Sequence, residues 1–194
     1  MAKFYQMLLE SRYTGSKAPI FQLTPTAKDL KTSRFAKDPD GRVHSCITID
    51  GKDYRCRSEM LVIKDDTVFA LKLENGKLKD GRPYVLPGGS LEEGLTVEEN
   101  AAKETREEAR INVKNPRYSE ISYGVQYTEG SSNPHFNYYG AITFVCIGEF
   151  DSIYKGYIDM DDTEPEMLKN GKFYKPSDIE FIKYHKMALK TVGL

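Results

Sequence analysis

The stretch LPGGSLEEGLTVEENAAKETREEARI, residues 86–111, constrains the fold of this chain more than any other. PYVLPGG (83–89) reads as a short strand that runs into paired glycines. After a loop, TVEENAAKETREEARI (96–111) has helical composition. Thr96 is placed to cap that helix, and Glu99 stands three residues on, the spacing of a capping box. A strand feeding a helix through Gly88-Gly89 needs a sheet for the helix to cover, and Ala101-Ala102 offers small residues for close approach. Within the helix Glu104, Glu107 and Glu108 stand at i, i+3 and i+4 and share one face. Three carboxylates there repel one another, and Lys103 and Arg106 are expected to point to other faces. A hard divalent cation relieves the repulsion, because Mg²⁺ and Mn²⁺ take oxygen ligands and leave positions for water and phosphate. Paired glycines let main-chain groups approach an ion or a phosphate. For the glutamate spacing alone, the competing reading is an acidic face in solvent.

The surrounding chain supplies the sheet. VHSCITI (43–49) and KDYRCRS (52–58) flank Asp50-Gly51, a pair suited to the two positive φ angles of a type I′ hairpin turn. That register sets Ile47 opposite Tyr54 and turns Cys46 to the other side of the ribbon from Cys56. EMLVIKDD (59–66) and TVFALKL (67–73) predict two apolar strands around Asp65-Asp66. ISYGVQY (121–127) and YYGAITFVCIGEF (138–150) predict two more, the second long enough to hold a bulge near Gly140. SDIEFIKYHKMALKTVG predicts a C-terminal helix capped by Ser177. Residues 1 to about 40 read as a short helix followed by a proline-broken, extended stretch. The expected fold class is α/β, a mixed β-sheet between helices. Residues 1–55 are expected to form an N-terminal extension with a β-hairpin, and residues 56–194 the main domain.

Charge excludes one class of function. Lys and Arg number 28 against 29 Asp and Glu, a net charge of −1, which does not suit a chain that coats nucleic acid. No apolar run approaches the roughly 20 residues of a membrane span. The start, MAKFYQMLLESRYTG, lacks the apolar centre of a signal peptide, so the cytoplasm is the expected compartment. Three cysteines, Cys46, Cys56 and Cys146, make a poor disulfide framework. His44, His135 and His185 lie far apart in sequence and read as surface or hydrogen-bonded histidines rather than ligands.

The glycine turn and glutamate helix resemble the signature of the Nudix hydrolase superfamily, G-x5-E-x7-R-E-U-x-E-E-x-G-U, with U an aliphatic residue. Anchored on Gly89, that frame sets Glu104, Glu107 and Glu108 on the metal-carrying glutamates. It departs at Leu95, Lys103, Thr105 and Arg110, which stand at the family's Glu, Arg, aliphatic and Gly. The first Glu and the Arg of the family brace the loop, so packing of Leu91 or Leu95 is the expected substitute here. With Arg110 at the glycine, the helix is expected to run on or to end at Asn112. The likeness covers roughly residues 55 to 194 and implies an α/β/α sandwich. It implies hydrolysis of a nucleoside diphosphate linked to another moiety, with ADP-ribose or nucleotide sugars favoured. The alternative is a nucleotide- or partner-binding module without turnover, which the departures motivate. The resemblance implies Mg²⁺ or Mn²⁺ held by Glu104, Glu107, Glu108 and the Gly88 carbonyl. It makes Glu107 or Glu129 the general base, with Glu164 and Glu166 as further candidates. Lys72, Gly89 and Tyr127 are the expected substrate contacts, and Tyr123, Phe136, Tyr138 and Tyr139 offer rings for a base. The expected partner is a small nucleotide, not a membrane or nucleic acid. An exposed hairpin edge predicts a homodimer.

Overall fold

The computed structural model describes residues 20–26, 29, 33–37, 43–73, 82–126, 138–157 and 170–194. Its strands are β1 (Ile20–Gln22), β2 (Arg34–Lys37), β3 (Val43–Ile49), β4 (Lys52–Lys64), β5 (Thr67–Lys72), β6 (Tyr84–Val85), β7 (Gly88–Ser90), β8 (Ile111–Gln126), β9 (Gly140–Ile153) and β10 (Lys172–Tyr174). Two helices accompany them, α1 (Val97–Ala109) and α2 (Lys183–Lys190). The strand order along the main path is β1-β8-β9-β4-β3-β2, and β4 also pairs with β5 and β7. The sheet is mixed: β4 runs parallel to β9 from Tyr54↔Gly140 to Ile63↔Glu149, while its other neighbours are antiparallel.

The period-two alternation of β4 divides the core. Met60 and Val62 pack with Ala101 and Ala109 of α1. Leu61 packs with Tyr184, Ala188 and Leu189 of α2 on the opposite face. A third cluster, with Ile47, Tyr54, Cys56 and Phe144, joins the hairpin to the sheet. The arrangement is the expected α/β sheet flanked by helices.

The hairpin register is as expected, with Ile47↔Tyr54 and a two-residue turn between Ile49 and Lys52. Asp50 and Gly51 have φ of 51° and 73°, the signs that a type I′ turn demands. All three cysteines are buried and free, and burial pushes the Cys56 thiol up to about 12.

Several elements depart from expectation. KDYRCRS and EMLVIK are not separate strands but one continuous β4, because it has a partner along both edges. α1 neither runs on nor stops at Asn112: Arg110 itself takes the left-handed conformation at φ 56° and caps the helix. Its side chain donates to the Gly156 carbonyl, and its own carbonyl accepts from Tyr154 N–H at 2.8 Å. β8 therefore starts at Ile111 rather than Ile121. Its polar first half hides the strand in sequence, and irregularities at 115–116 and 119–120 absorb Pro116 and the positive φ of Asn115 and Glu120. The β8–β9 bulges lie along that pair rather than at Gly140. Ser177 sits in a short 3-10 turn, Pro176–Asp178, and α2 begins later, without a side-chain cap. Among the described residues no helix is long and apolar enough to cross a membrane.

Candidate active site

The capping box of α1 forms as expected: Glu99 N–H donates to Thr96 Oγ1 at 3.2 Å and Thr96 N–H donates to Glu99 Oε2 at 2.9 Å. Buried Asn100, which the sequence reading passed over, fixes the helix to two other elements. Its Nδ2 donates to Ser58 Oγ of β4 at 2.9 Å, and its Oδ1 accepts from Glu92 N–H of the preceding loop at 3.0 Å.

These ties set the glutamate face against β7. Pairing of Met60 N–H with the Pro87 carbonyl and of Leu91 N–H with the Cys56 carbonyl turns the Gly88 peptide groups away from β4. Gly88 N–H then donates to Glu108 Oε2 at 2.8 Å. Gly89 faces α1, and a Cβ there would collide with the Glu104 carboxylate. A Cβ on Gly88 would press on the backbone of Glu59 and Ser58. Glycine is required at both places for close approach, as the sequence suggests.

Glu107 has a different environment. Lys103 Nζ stands 2.7 Å from Glu107 Oε2 and 3.0 Å from Glu92 Oε1. Burial opposes the charge on Lys103, but the bonds to these two carboxylates outweigh it and raise its pKa. Lys103 therefore does not point away from the glutamates, which corrects the sequence expectation. It ties the loop to the helix through Glu92, three residues before the family's usual acid. Leu91 packs against the third core cluster, and Leu95 is half-buried.

The turn thus gathers two carboxylates, Glu104 and Glu108, with the backbone of Gly88 and Gly89. This all-oxygen set suits Mg²⁺ or Mn²⁺. Among the described residues no three His, Cys, Asp or Glu side chains are grouped closely enough to hold one ion. Lys72 is exposed at the end of β5 and pairs with Tyr84 of β6. Tyr139 is half-buried against Tyr54. Tyr127, Glu129, Phe136, Glu164 and Glu166 lie outside the described residues.

The sequence reading missed the other side of the turn. Glu59, paired with Gly88 across the β4–β7 ladder, is buried on the α2 face. It bonds His185 Nε2 of α2, accepts from Tyr123 Oη at 2.9 Å, and lies 3.4 Å from Arg82 Nη1. His185 Nδ1 meets Tyr84 Oη at 2.7 Å. Burial alone would raise the Glu59 carboxyl; His185 foremost, then Arg82 and Tyr123, hold it down to about 2. Tyr123 thus belongs to a buried network rather than a stacking surface. His185 is the hydrogen-bonded histidine that its sequence context suggested.

A strand, a paired-glycine turn and a glutamate helix docked on a mixed sheet define a class, and comparison with known proteins names it. The family model of the NUDIX domain matches residues 54–188, so the chain belongs to the Nudix hydrolase family. Among curated proteins none matches it. Solved structures similar to it include an ADP-ribose pyrophosphatase from Streptococcus suis, with 14% identity, 72% of this chain and 92% of that one covered, and a TM-score of 0.43. A MutT protein from Bacillus halodurans is 23% identical over 71% of this chain and 80% of its own, with a TM-score of 0.48. A mutant form of the Bacillus subtilis pyrophosphohydrolase BsRppH is 15% identical over 82% and 98%, with a TM-score of 0.46.

Proposed function

We propose that this chain is a metal-dependent hydrolase that cleaves the pyrophosphate bond of a nucleoside diphosphate linked to another moiety, of the ADP-ribose or nucleotide-sugar type. The observation that carries the reading is the approach of Glu104 and Glu108 to the Gly88-Gly89 turn. Pyrophosphate is densely anionic, and carboxylates alone would repel it. Glu104, Glu108 and the Gly88 carbonyl would hold Mg²⁺ or Mn²⁺, and Glu107 would join them as ligand or orient water. Bound there, the ion would polarise the anhydride and lower the pKa of the attacking water. Glu107 or Glu129 takes that water's proton on its carboxylate. Gly89, Lys72 and Tyr127 contact the substrate.

Residues 1–55 act as an added ribbon rather than part of the catalytic centre, and β2, at the edge of the sheet, pairs two copies into a homodimer working in the cytoplasm. Sedimentation at micromolar concentration showing only monomer would count against that pairing.

A second reading, a nucleotide-binding module without turnover, is favoured by the hold of Lys103 on Glu107 and by Leu95 at the family's acid. Incubation with a panel of nucleoside diphosphate derivatives separates the two. Cleavage that needs Mg²⁺ or Mn²⁺ and stops with chelator supports the enzyme. Saturable binding with no product supports the module.

A further inference from the structure

One histidine of the C-terminal helix holds the back of the glycine turn. Alternate residues of the extended segment 84–88 face α2. Tyr84 and Leu86 are buried there, in the cluster that contains Tyr184, Ala188 and Leu189 of α2. At Gly88 the space for a side chain is taken by Glu59 and the Ser58 carbonyl of β4. His185 reaches both ends of this segment. Its Nδ1 lies 2.7 Å from Tyr84 Oη, which also accepts from Ile182 N–H at 3.2 Å, just ahead of α2. Its Nε2 bonds the carboxylate of Glu59, the residue that pairs with Gly88 across the β4–β7 ladder. Tyr84, Glu59 and His185 are only 0%, 7% and 0% exposed, so solvent does not compete for these bonds. In front of the turn, Gly88 N–H donates to Glu108 Oε2 at 2.8 Å. Gly88 is thus gripped from behind through Glu59 and holds a helix glutamate before it.

We propose that His185 is a positioning residue: with Tyr84 and Glu59 it sets where the Gly88 peptide stands, and so where Glu108 and the Gly88 carbonyl meet a divalent cation. This rests on the hydrolase reading above and brings into it a helix that supplies no ligand. The two nitrogens of an imidazole sit on one rigid ring, so partners bound to both are kept at a fixed separation. Losing either bond lets one end of 84–88 shift while the other stays. Groups that orient a ligand without touching the metal are costly to remove, typically about 10–100-fold in metal affinity. His185 acts at one remove more, through Glu59 and Gly88, so the lower end of that range applies.

The test reads the site without turnover, in full-length protein. Mn²⁺ binding is titrated by electron paramagnetic resonance, and hydrogen exchange of the segment 84–90 is followed by mass spectrometry. His185→Asn keeps a polar group near the place of Nδ1 and loses the bond to Glu59. His185→Gln keeps one near the place of Nε2 and loses the bond to Tyr84, a bond that Tyr84→Phe removes from the other side. His185→Asn weakens Mn²⁺ binding about tenfold, and the other two about three- to fivefold. In all three, 84–90 exchanges faster while the β8–β9 pair exchanges as in the wild type. Ile49→Ala, beside the hairpin turn, gives the pattern of a purely structural loss: earlier melting with unchanged Mn²⁺ affinity. Melting curves establish that each variant is folded at the assay temperature. Tyr84→Phe, which leaves Glu59 and His185 bonded, carries the test if His185→Asn does not fold. Earlier melting with wild-type Mn²⁺ affinity and wild-type exchange in 84–90 would overturn the positioning role while leaving hydrolysis standing. Weakened Mn²⁺ binding in these variants of a wild type that cleaves no nucleotide would support the positioning role and overturn the hydrolase reading.

Discussion

The Gly88–Ser90 strand has carboxylates on both sides, and the two sides treat them differently. On the α2 side a single acid, Glu59, is buried and answered by His185, Arg82 and Tyr123. On the α1 side three acids crowd within two helical turns; among the described contacts Lys103 bonds Glu107 and the Gly88 N–H donates to Glu108. Physical chemistry assigns the two arrangements different work. A buried carboxylate surrounded by donors is a fixed anchor, and taking away one partner strands the other. Half-buried carboxylates crowded on one helix face repel one another, a repulsion that a cation relieves.

The largest expected effect breaks the α1 side. Glu108→Gln lowers turnover by about a hundredfold or more, because the lost charge weakens ion binding where the phosphates sit. Melting temperature stays level or rises slightly, since repulsion on the helix falls. Glu107→Gln does the same to turnover but also releases Lys103 from one partner. Steady-state rates at saturating metal, set beside melting curves, check both.

The mirror change breaks the α2 side. Glu59→Gln leaves His185 buried without its carboxylate and destabilises the protein by about 3–5 kcal/mol, readable by urea unfolding. Acid should sharpen the contrast further. With the Glu59 carboxyl held at about 2 against an ordinary 4.5, the unfolded chain binds its proton first. The stability Glu59 contributes is therefore complete above about pH 4.5 and drains away as pH falls toward 2. Unfolding measured across that window shows this slope in the wild type and loses it in Glu59→Gln.

The two sides were also unequally legible in sequence. Thr96, Glu99 and the three helix glutamates lie within one short segment, and helical spacing fixes their neighbours. Glu59, Arg82, Tyr123 and His185 are brought together by pairings between strands and a helix that spacing does not encode; Glu59 and His185 stand 126 positions apart. Asn100 escaped notice for the same reason, because its partner Ser58 is 42 positions away. Arg110 eluded the reading in another way: a left-handed arginine runs against local preference, and contacts with Gly156 and Tyr154 at the end of β9 sustain it.

The smallest expected effect concerns Leu95. Lys103 already has two carboxylates, so Leu95→Glu adds a third claimant rather than restoring a missing brace. A stability change of about 0.2–1 kcal/mol in either direction is expected, the range of exposed ion pairs. Turnover should stay near that of the wild type. A large melting loss shared with Leu95→Ala would instead mark Leu95 as an apolar anchor of the loop.

The parallel pairing of β4 with β9 has a consequence for how the molecule is made. Each rung joins residues 86 positions apart, from Tyr54 with Gly140 to Ile63 with Glu149. A ribosome must therefore complete almost the whole sheet in its tunnel and beyond before this edge of β4 meets its partner. Until then Leu61 and Val62, fully buried in the finished protein, wait on an open strand. Long-range parallel pairing of this kind folds slowly and exposes sticky intermediates, so yield should depend more on synthesis rate and temperature than on the stability of the end product.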